Sequence, residues 1–220
     1  MPTVTEPQLL TFKNWIFRFR PAQVEPVRLL ILLHGWMGDE NSMWVLARKL
    51  SPNYAILAPR GIHPIAEGGF SWREIRPGSW GKAIIEDLHP AVEALLAFID
   101  DWSSNSGVDA RQFDLMGFSQ GAALAYTLAL IHPERVKKLA ALSGFIPENE
   151  ENFLALKVLS GESIFIAHGR KDDMIPVEKA RKAVELLGNA GAHVTYCESD
   201  TGHRVSKECL HEMKDFLEVY

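Results

Sequence analysis

Residues Gln112 to Tyr126 read Q-F-D-L-M-G-F-S-Q-G-A-A-L-A-Y and contain the pattern G-x-S-x-G at Gly117, Ser119 and Gly121. The run 113–116 is short and apolar, suited to a buried strand. Residues 120–131 carry small and aliphatic side chains at helical spacing. Only Gly117, Phe118 and Ser119 remain for the connection, so the chain must turn sharply from strand to helix. A serine on such a turn is held in strained backbone geometry with its hydroxyl presented outward, a nucleophile elbow. The flanking glycines fit because a Cβ at either place would meet the neighbouring chain. That context, more than the five letters, marks Ser119 as a nucleophile.

A serine hydroxyl attacks poorly near neutral pH and needs a base within about 2.6–3.2 Å. A carboxylate must orient that base and stabilise its cation. With the chain order serine, acid, histidine, three histidines come late enough: His193, His203 and His211. His193 precedes a strand and so belongs to the opposite sheet edge, and His211 falls within an amphipathic helix. His203 follows the strand directly, after Thr201 and Gly202, and is the expected base. The acid is expected between His168 and Pro176, where Asp172 and Asp173 both qualify and the other is left to cap or decorate the next helix. Negative charge developing on an attacked carbonyl oxygen needs donors. The backbone N–H of Gln120, at the start of the elbow helix, is one candidate, and the backbone N–H of Trp36 is the other.

The elements that must carry these groups alternate along the chain. Residues 12–20 place Trp15, Phe17 and Phe19 at alternate positions, as in a half-buried strand near a sheet edge. Residues 27–33 form a continuous aliphatic strand and lead into His34-Gly35-Trp36-Met37-Gly38-Asp39-Glu40. A helix is expected over 42–50 and a strand over 54–58. The irregular stretch 62–81 carries Phe70, Trp72, Ile75 and Trp80, too many large apolar groups for a disordered segment. Residues 83–102 have the broad apolar face of a packed helix, with a kink permitted at Pro90. Further strands are expected over 136–142, 164–167 and 194–198, and helices over 177–187 and 206–217; 145–159 reads as an excursion, partly helical. Such alternation describes a parallel sheet covered on both faces, whose ligands bind beyond the carboxyl ends of the strands.

Composition narrows the function classes. The chain has 220 residues and a formal net charge of -5, and no linker, repeat or low-complexity tract divides it, so one domain over 1–220 is expected. The charge gives no field that would draw in nucleic acid. No apolar run is long enough to span a bilayer, and no secretory signal is visible. The two cysteines, Cys197 and Cys209, make no disulfide framework and are expected to sit reduced in a packed interior of a cytoplasmic protein. No H-E-x-x-H pair, His/Cys cluster or phosphate loop is present, so neither metal nor cofactor is expected. Asp100, Asp101 and Asp114 read as solvated or strand-entry residues.

The chain resembles the carboxylesterase/phospholipase family of small α/β-hydrolases, which includes the acyl-protein thioesterases. The likeness runs from about Val27 onward, on Leu33-His34-Gly35 with Gly38-Asp39-Glu40, Ala58-Pro59-Arg60-Gly61, Gly117-Phe118-Ser119-Gln120-Gly121, His168-Gly169 with Asp172 and Ile175-Pro176, and Gly202-His203. The resemblance implies an α/β-hydrolase fold, a mostly parallel sheet with helices on both faces and no large lid domain. It selects Asp172, four residues before the proline, as the acid, and Trp36, two after the loop histidine, as the second donor. It implies a cofactor-free hydrolase of small-molecule carboxylic esters, thioesters or lysophospholipids, acting through an acyl-Ser119 intermediate. Other readings are acyl transfer with the same residues and ligand binding without turnover. The acyl pocket would draw on Trp36, Phe70 and Trp72, joined by Phe145 and Ile146. Met37 stands where bacterial relatives often have glycine.

Overall fold

Leu29, Ile31 and Leu33 pack into one hydrophobic cluster while Leu30 and Leu32, between them, pack into another. Side chains alternate across a strand, so this run is stable only where both sheet faces are covered. The same alternation recurs at Leu139 and Ala141 against Ala140 and Leu142, and at Ile164 and Ile166 against Phe165 and Ala167. The computed structural model describes residues 6–47, 50–74, 82–149 and 159–218.

The strands are β1 (Gln8–Phe12), β2 (Trp15–Arg20), β3 (Arg28–Leu33), β4 (Tyr54–Pro59), β5 (His63–Pro64), β6 (Phe70–Ser71), β7 (Phe113–Phe118), β8 (Val136–Leu142), β9 (Ser163–Gly169) and β10 (His193–Ser199). Eight of them form one sheet in the order β1-β2-β4-β3-β7-β8-β9-β10, and β5 pairs with β6. Pairings from β4 to β10 are parallel, while β1 with β2 and β2 with β4 are antiparallel. The elbow strand β7 thus lies in mid-sheet between β3 and β8. The long helix Ile85–Ser106, the elbow helix Gln120–Ile131 and the helix Val177–Asn189 bury their apolar residues in the first cluster. The short helix Trp44–Ala47 and the closing helix Lys207–Glu218 cover the other face. This is the α/β-hydrolase arrangement expected from sequence.

Local departures have physical causes. Residues 12–20 are not one strand: Lys13 adopts φ 53° in the turn joining β1 to β2, and β1 takes the outer edge. The long helix runs on to Ser106 and stops at Gly107, whose φ of 75° supplies the left-handed cap a side chain would resist. Ile75, Trp80 and residues 150–158 of the second excursion lie outside the described residues. The cysteines are not reduced: Cys197 on β10 and Cys209 on the closing helix form a disulfide.

Asp114 is not solvated either. It is buried on β7, where it pairs with Arg28 of β3 and sits 2.7 Å from the Tyr54 hydroxyl. Arg28 Nη1 also donates to Leu217 O at 2.8 Å, and Lys138 Nζ donates to Phe216 O at 2.6 Å. Cationic groups therefore meet the carbonyl end of the closing helix, where its dipole is negative, and Asp114 balances them. Asp114→Ala would remove a buried carboxylate that pairs with Arg28 and accepts from Tyr54, and should cost about 3–5 kcal/mol of stability, read as a lower urea midpoint at unchanged slope. A midpoint unmoved by the substitution would show the pair to be dispensable.

Candidate active site

Ser119 sits at φ 55°, ψ -115°, a backbone conformation that a residue with a side chain adopts only under constraint. Two close approaches impose it. A Cβ on Gly117 would lie 2.3 Å from Gly121 O, and one on Gly121 would lie 2.0 Å from Leu33 O. The elbow helix can therefore start directly against β3 and β7. Ser119 N donates to Leu142 O at 2.9 Å, fixing the turn to the end of β8.

Asp172 follows β9 and is buried. Its Oδ1 accepts from the N–H groups of Met174 and Ile175 at 3.0 and 2.9 Å. Its Oδ2 accepts from His203 Nδ1 at 2.7 Å. A carboxylate can only accept here, so Nδ1 bears the proton and Nε2 is left as the basic nitrogen. The neighbouring Asp173 is exposed. His193 is exposed at the start of β10 and His211 is exposed on the closing helix, so neither competes for the carboxylate. The His203 ring packs on Phe118, centroids 5.0 Å apart, beside the residue that precedes Ser119. Asp172 and His203 are thus in direct contact at the elbow. A hydrogen bond between Ser119 Oγ and His203 Nε2 is not among those the described residues make.

The loop carrying Trp36 is a tight turn. Gly38 N donates to Gly35 O at 3.0 Å, and Met37, third in that turn, has φ 62°, where glycine is favoured. Glycine would meet that demand without cost, and here methionine bears the strain. His34 anchors the turn from inside. Its Nδ1–H donates to Gly35 O at 2.7 Å and its Nε2 accepts from Gly61 N at 2.8 Å. Burial pushes the His34 imidazole below its ordinary pKa, which suits a nitrogen that must accept. Glu40 and Arg60 close the same loop through a bidentate pair, at 2.7 and 3.0 Å, and that guanidinium holds the Glu40 carboxyl below the usual range.

Trp72 departs from the pocket role expected of it. It is 0 % exposed, its indole N–H donates to His34 O at 2.8 Å, and its ring lies against the His34 imidazole. A side chain so enclosed braces the loop and offers no wall to a ligand. Its backbone N donates to Gln120 Oε1 at 2.9 Å, and Gln120 Nε2 donates to Ser71 Oγ at 2.9 Å. The Gln120 side chain therefore ties the elbow helix to the 71–73 segment, leaving its backbone N–H among those the first turn of a helix cannot satisfy internally. Sequence reasoning used only that backbone group and missed the side chain, whose glutamine between serine and glycine was the available signal. Trp36 and Phe70 are half-buried, Phe70 beneath the Arg60 guanidinium. Phe145 and Ile146 are largely buried in the first hydrophobic cluster.

Among the described residues no cluster of His, Cys, Asp and Glu could hold a metal ion, and no helix is long and apolar enough to cross a membrane.

A family model described as Phospholipase/Carboxylesterase matches residues 17–220. The chain is 26 % identical to acyl-protein thioesterase 1 of Kluyveromyces lactis over 89 % of its own length and 93 % of that protein. It is 28 % identical to esterase YpfH of Escherichia coli, over 90 % of its own length and 83 % of that protein. A carboxylesterase from Mesorhizobium loti superposes with a TM-score of 0.80 at 25 % identity, covering 96 % of this chain and 98 % of the other.

Proposed function

Since this chain belongs to the phospholipase/carboxylesterase family and is a hydrolase of the esterase and thioesterase type, we propose that it cleaves carboxylic esters of small molecules through a Ser119-Asp172-His203 triad. One observation carries this reading: the strained Ser119 elbow with the Asp172-held His203 packed on its neighbour Phe118.

Ser119 Oγ attacks the ester carbonyl while His203 Nε2 takes its proton. Asp172 stabilises the resulting imidazolium through Nδ1, and the backbone N–H groups of Gln120 and Trp36 receive the developing oxyanion. His203 then returns the proton to the leaving alcohol or thiol. The acyl group stays on Ser119 until a water, deprotonated by the same imidazole, attacks it and restores the serine. On this reading the bond between the serine hydroxyl and Nε2 forms when substrate is bound, since catalytic hydrogen bonds often tighten only in the complex. Trp36 and Phe70 are the aromatic groups on the flanking loops that would meet the acyl chain.

The test is labelling by a fluorophosphonate probe together with rates over p-nitrophenyl esters of increasing acyl length. The reading requires stoichiometric labelling and turnover of at least the short esters. A folded protein that binds such esters yet neither turns them over nor takes the probe would instead be a binding protein on this fold.

A further inference from the structure

The geometry points to His168 as a positioning residue for the Asp172 carboxylate, an assignment that rests on the reading of Asp172 and His203 given above. His168 is the penultimate residue of β9, and its side chain, like that of Asp172, has no solvent exposure. Its Nε2 lies 2.8 Å from Ile175 O and 3.4 Å from Asp172 Oδ2. A carbonyl oxygen has no proton to give, so Nε2 carries one and donates it to Ile175 O, with Asp172 Oδ2 3.4 Å from the same nitrogen. Asp172 Oδ2 is the same oxygen that accepts from His203 Nδ1. Two imidazoles therefore lie against one carboxylate oxygen, His203 bonded to it at 2.7 Å and His168 Nε2 3.4 Å away.

Ile175 is fixed twice by this arrangement. Its C=O accepts from His168, and its N–H donates to Asp172 Oδ1. If the peptide tipped, the carboxylate would lose one of the donors that set its plane, and the His203 Nδ1–H···Oδ2 bond would lose direction. The other His168 nitrogen argues against a simple packing role. Nδ1 is buried with no hydrogen-bond partner among the described residues. An apolar side chain would fill that space without leaving a polar atom unpaired, so the imidazole is retained for what Nε2 does. Triad logic gives the function: a base is effective only when its acid holds it in one tautomer and orientation, and His168 extends that chain of support by one link.

The experiment compares kcat and KM of the wild type, His168→Gln and His168→Asn on a p-nitrophenyl ester, each referred to its folded fraction. A glutamine amide reaches the place of Nε2, whereas an asparagine amide stops one methylene short. The expected result is near-normal kcat for His168→Gln and a kcat reduced about 10- to 100-fold for His168→Asn, with KM little changed. The low-field proton signal of the His203–Asp172 bond should persist in the first variant and be lost in the second. Equal kcat in the two variants, or an effect confined to KM, overturns the assignment. If His168→Asn does not fold, the nitrogen spectrum of the wild type decides, because a proton on His168 Nδ1 and not Nε2 would contradict it. Asp172→Asn separates this inference from the triad itself. Full activity there defeats the triad, while an inactive Asp172→Asn beside a fully active His168→Asn defeats only the role given to His168.

Discussion

Ser119→Ala is expected to lower ester turnover by about 10⁴- to 10⁶-fold, the scale on which a triad nucleophile is missed. Nothing else at the elbow should change. The structural hydrogen bonds of this residue are made by its backbone, from its N to Leu142 O and from the N–H groups of Ala122 and Ala123 to its O, and alanine retains them. The glycine approaches that force the strained φ of 55° lie on either side of the serine and not in its side chain. The variant should therefore unfold at a denaturant midpoint close to that of the wild type while losing both kcat and fluorophosphonate labelling. Steady-state rates, with the probe as a second readout, check this. Wild-type turnover in a folded Ser119→Ala protein would remove the serine from the mechanism.

The second large effect is expected at Asp172. Its Oδ1 faces the N–H groups of Met174 and Ile175, so in Asp172→Asn the amide oxygen must occupy that side. The amide NH₂ is then turned toward His203 Nδ1. A donor there obliges Nδ1 to accept, which moves the imidazole proton to Nε2, the nitrogen that has to take a proton from Ser119. The expected loss in kcat near neutral pH is about 10⁴-fold. Asp173→Asn is the matched control: that carboxylate is exposed and its variant should stay within a few-fold of the wild type. Comparable kcat in the two variants would mean that the wrong aspartate has been assigned.

The contrast between those aspartates shows how far the residues alone could be read. Periodicity revealed which strands are covered on both faces, because burial of apolar side chains acts through spacing a few residues long. G-x-S-x-G revealed the elbow because close backbone approach demands glycine on both sides of the serine. Composition and pattern could not separate Asp172 from Asp173, since the choice depends on where two backbone N–H groups point once the loop has closed; the family likeness supplied it. Asp114 does stand at the entry to β7, but its burial was hidden for a related reason. Its partners Arg28 and Tyr54 are 86 and 60 residues away in the chain, and local sequence carries no sign of such pairings. Trp72 looked like a pocket wall because an aromatic in a glycine-rich stretch gives no hint that its N–H will find His34 O. The cysteines, twelve residues apart, meet only because the chain turns back from β10 into the closing helix.

That cystine has a consequence for handling the molecule. His203 lies inside the ring of chain that the sulfur bridge closes, and that ring contains Arg204 and Lys207. A protease that cuts after either one severs the backbone without freeing the C-terminal piece, so the nicked protein keeps its intact mass apart from one added water. The break shows on an electrophoretic gel only after thiol treatment, and a preparation that has lost activity this way would pass a non-reducing purity check.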